Sequence, residues 1–159
     1  MSKLDDIKKG VDELRDRLLI GEPAHFSKRD VIDAFFGALF LGVTFTIKGL
    51  LIDVSKALTF WHMLAIIIFT LVILTAEIYF IGYSRVTKKS ERRFGQFWLK
   101  RIVVFYFIAA ATSVLLVYLF GLNNLPGISN NSEEIVKLVV TISLPCAIGA
   151  SITDLLKKY

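Results

Sequence analysis

IVVFYFIAAATSVLLVYLFGL, residues 102–122, is a run of 21 residues without a charged side chain. A second uncharged run, ALTFWHMLAIIIFTLVILTA, covers residues 57–76. An α-helix needs about 20 mostly apolar residues to cross the roughly 30 Å hydrocarbon core of a bilayer. Both runs therefore predict transmembrane helices. The whole chain agrees, because 55% of its residues are hydrophobic and its mean hydropathy is +0.62, well above the average for soluble proteins.

Two further apolar segments flank these runs. We place the four spans near residues 32–52, 59–82, 102–122 and 135–155. The first span must tolerate charge close to its ends, because only 14 uncharged residues separate Asp33 from Lys48. The sequence predicts an all-α fold, a four-transmembrane-helix bundle over residues 30–159. Residues 1–29 are predicted to form a cytoplasmic amphipathic helix and a linker.

Basic residues accumulate on one predicted side of the membrane. They lie between the second and third spans and at the C-terminus: Arg85, Lys88, Lys89, Arg92, Arg93, Lys100, Arg101, Lys157 and Lys158. The segment between the third and fourth spans, residues 121–134, has none. Short cytoplasmic loops carry an excess of Lys and Arg. We therefore expect a multi-pass protein of the cell membrane with both termini in the cytoplasm.

An apolar seam with alternating spacings of three and four runs along the N-terminal segment: Leu4, Ile7, Val11, Leu14 and Leu18. Three interpretations are open, namely a helix on the anionic inner leaflet, a self-associating coiled coil, and a helix packed on the protein itself. Lys8, Arg15 and Arg17 border the seam and would repel one another in a parallel homo-oligomer. Basic residues beside an apolar face favour the leaflet interpretation.

The basic run after the second span has helical spacing: Arg85, Lys88, Lys89, Arg92 and Arg93. This pattern predicts that the second span continues as a helix into the cytoplasm. One interpretation is an orientation signal with a solvated face. The other is a site that faces anionic lipid or binds an acidic partner protein. The sequence gives no separate support for binding of nucleic acid.

Polar side chains form a stripe on three of the spans. At about 100° per residue, pairs of them share an arc of one helix: Asp33 with Thr44, Thr70 with Glu77, and Ser143 with Asp154. A charge near the centre of a membrane helix costs at least ~2.5–3.5 kcal/mol on insertion scales. We therefore expect these arcs to face the interior of the bundle, and the six residues are candidates for an ion pathway.

The three carboxylates all belong to the cytoplasmic half of the predicted bundle. Glu77 is the most demanding, because its side chain leans toward the membrane core on a helix that runs from outside to inside. The functional interpretation is a carboxylate cluster of Asp33, Glu77 and Asp154 that attracts and conducts a cation or a proton. In the structural alternative, Asp33 and Asp154 lie at the headgroup level and Arg85 or Arg101 neutralises Glu77.

Small residues are concentrated on the first and fourth spans: Ala34, Gly37, Ala38, Gly42, Ala147, Gly149, Ala150 and Ser151. Such residues let helix backbones approach closely. We expect the tightest contact between the first and fourth spans, within one chain or between copies. Pro145 removes the helical bond to the carbonyl of Thr141 and predicts a kink there; an exposed carbonyl that coordinates an ion is the alternative.

Two segments carry a resemblance to a known family: DVIDAFFGALFLG at residues 30–42 and LPCAIGASITDLLKKY at residues 144–159. Together with the charged N-terminal helix, they resemble a prokaryotic family of small integral membrane proteins of unknown function. The resemblance covers roughly residues 27–159 and rests on small-residue packing patterns. It implies the membrane fold and brings no catalytic or binding residues with it.

The sequence favours an oligomeric membrane protein, a cation or proton channel or transporter subunit that uses intramembrane carboxylates. The competing hypothesis is a non-transporting adaptor or sensor that binds anionic lipid or a partner protein. We expect no enzyme activity, because the chain has no HExxH, GxSxG or P-loop pattern and no paired nucleophile and base. The only cysteine is Cys146, so neither a Cys-based metal site within one chain nor a cofactor is predicted.

Overall fold

The computed structural model describes residues 28–79, 96–129 and 131–156, without the side chains of residues 96–98, 154 and 155. Within these ranges the chain forms five α-helices, which we label α1 (Lys28–Ile47), α2 (Leu50–Lys56), α3 (Phe60–Ile78), α4 (Gln96–Leu119) and α5 (Ser132–Leu156). A 3-10 turn at Leu122–Asn124 follows α4. No strand occurs in the described ranges, and the predicted all-α fold is confirmed.

Four of the helices are long and apolar enough to cross a membrane. The apolar stretches are Lys28–Ile47, Phe60–Ile78, Leu99–Leu119 and Ser132–Thr153, of 20, 19, 21 and 22 residues. At a rise of about 1.5 Å per residue, each reaches roughly 30 Å, the thickness of the hydrocarbon core. The four predicted spans are thus present as α1, α3, α4 and α5. Nearly all of the predicted N-terminal amphipathic helix lies outside the described residues and stays a prediction.

The first span is shorter at its C-terminal end than predicted. Helix α1 ends at Ile47, and the short helix α2 begins at Leu50, so the predicted boundary at residue 52 falls inside α2. Gly49 separates the two helices with a φ of 72°, in the left-handed region that glycine adopts at little cost. Its N–H donates to the carbonyl of Thr46 at 3.1 Å, which closes the last turn of α1.

Helix α5 lies at the centre of the bundle. It packs against α1, α3, α4 and the short helix α2, while α4 also contacts α1 and α3. The buried share of the apolar stretch is 61% for α5, compared with 22% for α1 and 17% for α3. The other three spans are therefore arranged around the fourth, and most of the surface of α1 and α3 faces outward.

The tightest helix contact joins α1 and α5 through two glycines. A Cβ atom built on Gly37 would overlap the carbonyl oxygen of Gly149 and the hydroxyl of Thr153, and one built on Gly149 would overlap the carbonyl oxygen of Gly37. Further along α1, a Cβ on Gly42 would lie 2.6 Å from Cys146 Sγ. The predicted contact between the first and fourth spans is confirmed, and it is a contact of backbone against backbone.

Large apolar side chains cover the outside of the bundle. Phe36, Phe40, Trp61 and Phe107 are each more than 60% exposed. In water, exposed apolar area costs about 25 cal/mol per Å², and soluble monomers rarely show so much of it. Lipid removes this cost, so the outer surface fits a helix bundle embedded in a bilayer.

Candidate functional site

A carboxyl group and a hydroxyl group meet between two spans in the interior of the bundle. The side chain of Ser151 on α5 is hydrogen-bonded to Glu77 Oε2 on α3. Ser151 is buried, and Glu77 is half-buried. Both residues belong to apolar stretches long enough to cross the bilayer, where a charged side chain is costly and usually functional. We call this pair the Glu77–Ser151 contact.

The helical repeat of α3 places Glu77 on the side of the helix that faces the interior. Its buried residues are Thr70, Leu74 and Ile78, and Glu77 follows Thr70 by seven residues, which returns it to nearly the same face. On α5, the neighbours Ala147 and Ala150 are fully buried. These small side chains leave room for the longer Glu77 side chain to reach the helix. The alanines on this side of α5 thus leave room for a polar contact between the two helices.

Ser151 has more acceptors within reach than it has hydrogens. Besides Glu77 Oε2, its Oγ lies 2.9 Å from the carbonyl oxygen of Ile148 and 3.2 Å from that of Ala147. A serine hydroxyl carries one hydrogen and two lone pairs. It can therefore donate either to the carboxyl group or to its own helix, and in the second case it can accept a hydrogen from Glu77.

A second group of buried hydroxyls lies farther from the C-terminal ends of α3 and α5 than the Glu77–Ser151 contact does. Thr70 precedes Glu77 by seven residues and Ser143 precedes Ser151 by eight. At about 1.5 Å per residue, these positions are roughly 10–12 Å away along their helices. Consecutive spans alternate in direction, so α3 and α5 run the same way and the displacement is in the same sense. Tyr106 on α4 interacts with Ser143, which adds a third hydroxyl.

Within this second group, the hydroxyls of Thr70 and Ser143 bond to their own helices. Thr70 Oγ1 donates to the carbonyl of Ile66 at 2.7 Å, and Ser143 Oγ donates to that of Val140 at 2.8 Å. Their hydrogens are used locally, as is common for Ser and Thr in membrane helices. The oxygen lone pairs that remain can still accept a hydrogen bond or coordinate a cation.

Two of the three predicted pathway carboxylates, Asp33 and Glu77, lie on different sides of α5. Asp33 lies one turn before Gly37 on α1, and Gly37 packs against Gly149 and Thr153 of α5. Ser151 and Thr153 are about 200° apart on the helix, so α1 and α3 pack on opposite sides of α5. Asp33 and Glu77 are therefore separated by the central helix. The side chain of Asp154 lies outside the described residues.

The sequence pattern places Thr44 in the interior, and the structure corrects this. Thr44 is exposed, and its hydroxyl donates to the carbonyl of Phe40 at 2.8 Å. The buried residues of α1 are Ala34, Ala38, Gly42 and Thr46. The contact with α5 selects the smallest side chains for the inner face, and Thr44 faces outward, whereas Asp33 is half-buried.

The structural alternative for Glu77 invokes a basic partner. Arg101 near the start of α4 is half-buried and takes part in an interaction. Arg85 and the rest of the predicted lipid-facing run, Lys88, Lys89, Arg92 and Arg93, lie outside the described residues. The contact that the structure shows for Glu77 is the hydroxyl of Ser151.

Near the N-terminal end of α5 lies a buried charged residue, Lys137, which the predicted polar stripes do not include. Lys137 Nζ lies 2.8 Å from Glu134 Oε1 and 2.9 Å from Glu133 Oε1, and the lysine side chain is only 10% exposed. Glu at three and four positions before Lys is the favourable order on a helix. That spacing is the sequence signal for this group. Among the described residues, no three His, Cys, Asp or Glu side chains are placed to hold a metal ion.

Comparisons with known proteins identify one family. A family model described as "Putative integral membrane protein (DUF2391)" matches residues 16–156. Comparison with curated proteins and with solved structures finds no match. The matched region includes all four spans and both residues of the Glu77–Ser151 contact.

Proposed function

The chain belongs to the DUF2391 family of integral membrane proteins, and we propose that it is a subunit of an oligomeric channel or transporter that moves a cation or a proton past Glu77. The observation that carries the proposal is the Glu77–Ser151 contact. An acid inside a membrane span is expensive to keep. It is also the kind of group that binds and releases cations and protons in membrane transport.

The position of α5 supports the proposed oligomerisation. The central helix fills the space where a single bundle would need a pore, because it packs against all the other described helices. A pathway must then run beside α5 or between chains. Helices α1 and α3 bury little of their surface within one chain and are available to contact further copies. The partners of the protein would be other copies of itself and the surrounding lipids.

We also propose that the protein resides in the cell membrane with both termini cytoplasmic, on the distribution of basic residues. In this orientation Glu77 lies in the cytoplasmic half of α3. The basic run at residues 85–93 would contact the anionic inner leaflet. Tags at either terminus should be accessible only from the cytoplasm, and tags near Asn124 only from outside. The opposite pattern at any of these sites would contradict the orientation.

Ion flux into liposomes tests the proposed function. Wild-type protein should conduct a cation or protons, and Glu77→Gln should abolish this flux while the protein still assembles, because the amide keeps the shape and removes the charge. The matched control is Asp53→Asn, the same chemical change at an exposed residue of α2, which should conduct like the wild type.

Two results would contradict this function. Wild-type flux in well-folded Glu77→Gln protein would remove Glu77 from the pathway. Tight vesicles that contain folded wild-type protein, at several pH values and with several cations, would favour the non-transporting adaptor instead. In that case, the basic run and the N-terminal helix become the first surfaces to test for binding to anionic lipid or to a partner protein.

A further inference from the structure

The Glu77–Ser151 contact can exist in two hydrogen-bonded arrangements. With Glu77 charged, the Ser151 hydroxyl donates to Oε2 of the carboxylate. With Glu77 neutral, its own O–H donates to Ser151 Oγ, and the serine hydrogen turns to the carbonyl of Ile148 at 2.9 Å. A hydrogen lies between the two side chains in both arrangements, so neither leaves a buried polar atom without a partner.

A metal cation would be bound less well at this position than a proton. Such ions take several oxygen ligands at once. Here the carboxylate and Ser151 Oγ lie together, whereas the hydroxyls of Thr70 and Ser143 are roughly 10–12 Å away along their helices. A proton needs only one oxygen and one hydrogen-bond partner. The geometry of one chain thus suits a proton.

Other ionisable groups occur at this end of the bundle. Arg101 lies near the start of α4, and Asp33 lies on α1 across the central helix. Tyr79 follows Glu77 by two residues and is exposed, and Asp154 follows Ser151 by three. The contact shown for Glu77 joins it to Ser151, so the hydroxyl is the group that changes when Glu77 gains or loses its proton.

We propose that the Glu77–Ser151 contact is a proton-binding site, in which Ser151 is a positioning residue that reverses its hydrogen bond as Glu77 is protonated and deprotonated. The proton comes from water on one side of the membrane, resides on a carboxyl oxygen of Glu77, and leaves to water on the other side. No other bond is made or broken. This inference rests on the proposed function and narrows the transported species to the proton.

The test compares two hydroxyl deletions on the same turn of α5. Ser151→Ala removes the hydroxyl that contacts Glu77. Thr153→Ala removes a hydroxyl on the side of α5 that faces α1, where it donates to the carbonyl of Gly149 at 2.9 Å. In liposomes with a proton gradient, Ser151→Ala should lower proton flux about tenfold, the effect of losing about one buried hydrogen bond. Thr153→Ala should conduct like the wild type. Potassium and sodium gradients, measured on the same vesicles, should drive no flux.

Infrared difference spectroscopy supplies a readout that does not depend on flux. Acidification of the full-length protein in lipid should produce a protonated carboxyl band that is missing in Glu77→Gln. This band should shift in Ser151→Ala and stay in place in Thr153→Ala, because only the first substitution changes the hydrogen bond to Glu77. Should Ser151→Ala not fold, Ser151→Cys takes its place, since a thiol is a weak hydrogen-bond partner.

The outcomes separate the two proposals. Selective potassium or sodium flux without proton flux would overturn the proton site and leave the transport function standing. An identical Glu77 band in the wild type and Ser151→Ala would overturn the role of Ser151. If no ion moves at all, the transport function fails, and the infrared titration still decides whether the contact binds a proton.

Discussion

The two sides of helix α5 solve the problem of packing in a membrane in different ways. Toward α1, Gly149 meets Gly37 backbone to backbone, and the hydroxyl of Thr153 bonds to its own helix. Toward α3, Ser151 bonds to the carboxyl of Glu77 on the other helix. Lipid tails and apolar side chains are similarly apolar, so helix association relies on close packing and interhelical hydrogen bonds. Close packing suffices on the first side, which suggests that the acid on the second is kept for function.

The largest expected effect comes from filling the glycine side. Gly149→Leu should prevent the native contact of α1 with α5, because even a Cβ atom there would overlap the carbonyl of Gly37. Overpacking a well-filled interior typically costs about 1–3 kcal/mol, and overlap with backbone belongs at or above the upper end. Thermal unfolding in detergent should show a large fall in midpoint, or no folded protein. Ala111→Leu, at an exposed position of α4, should unfold like the wild type.

The sequence predicts the spans and the contact of α1 with α5, but it does not predict every residue that faces the interior. The uncharged runs at residues 57–76 and 102–122 predict two spans because bilayer thickness limits the solutions. Gly37 and Gly149 indicate the closest contact because only small residues permit it. Placing Thr44 on the interior arc with Asp33 gives the wrong inner face for the second half of α1, because Thr44 is exposed. Thr44 and Thr46 are chemically identical, and only the docking of α5 makes the second one buried.

The roles of Ser151 and Lys137 are harder to predict, because each depends on partners that hydropathy does not reveal. Ser151 stands among Ala147, Gly149 and Ala150, where a small side chain is already explained by packing. Its bond to Glu77 joins positions 74 residues apart in sequence, which no local pattern reveals. Lys137 lies in an otherwise apolar segment, and its two partners one turn earlier make it tolerable there.

A smaller effect should distinguish the two hydroxyls by stability alone. Ser151→Ala removes a hydrogen bond between helices and should lower the free energy of unfolding by about 0.5–1.5 kcal/mol, the usual net value. Thr153→Val keeps a side chain of similar shape beside Gly37 and removes a hydrogen bond within one helix, so it should change stability by less than about 0.5 kcal/mol. Steric trapping or thermal unfolding in the same detergent measures both. A larger loss for Thr153→Val would mean that the glycine side, and not the Glu77 side, depends on its hydroxyl.

The most direct test of the central claim, that Glu77 and Ser151 act as one transport site, is a double-mutant cycle on proton flux. It compares the wild type, Glu77→Asp, Ser151→Ala and the double variant, each reconstituted at the same amount of folded protein. Aspartate keeps the acid but shortens the side chain by one methylene, so we expect it to lose the contact with Ser151 while a lowered flux stays measurable. Residues that act as a unit are not additive. The double variant should therefore conduct like Glu77→Asp alone, because the shortened side chain has already lost the contact with Ser151. If the two substitutions instead lower flux by independent factors that multiply, Glu77 and Ser151 do not form one site.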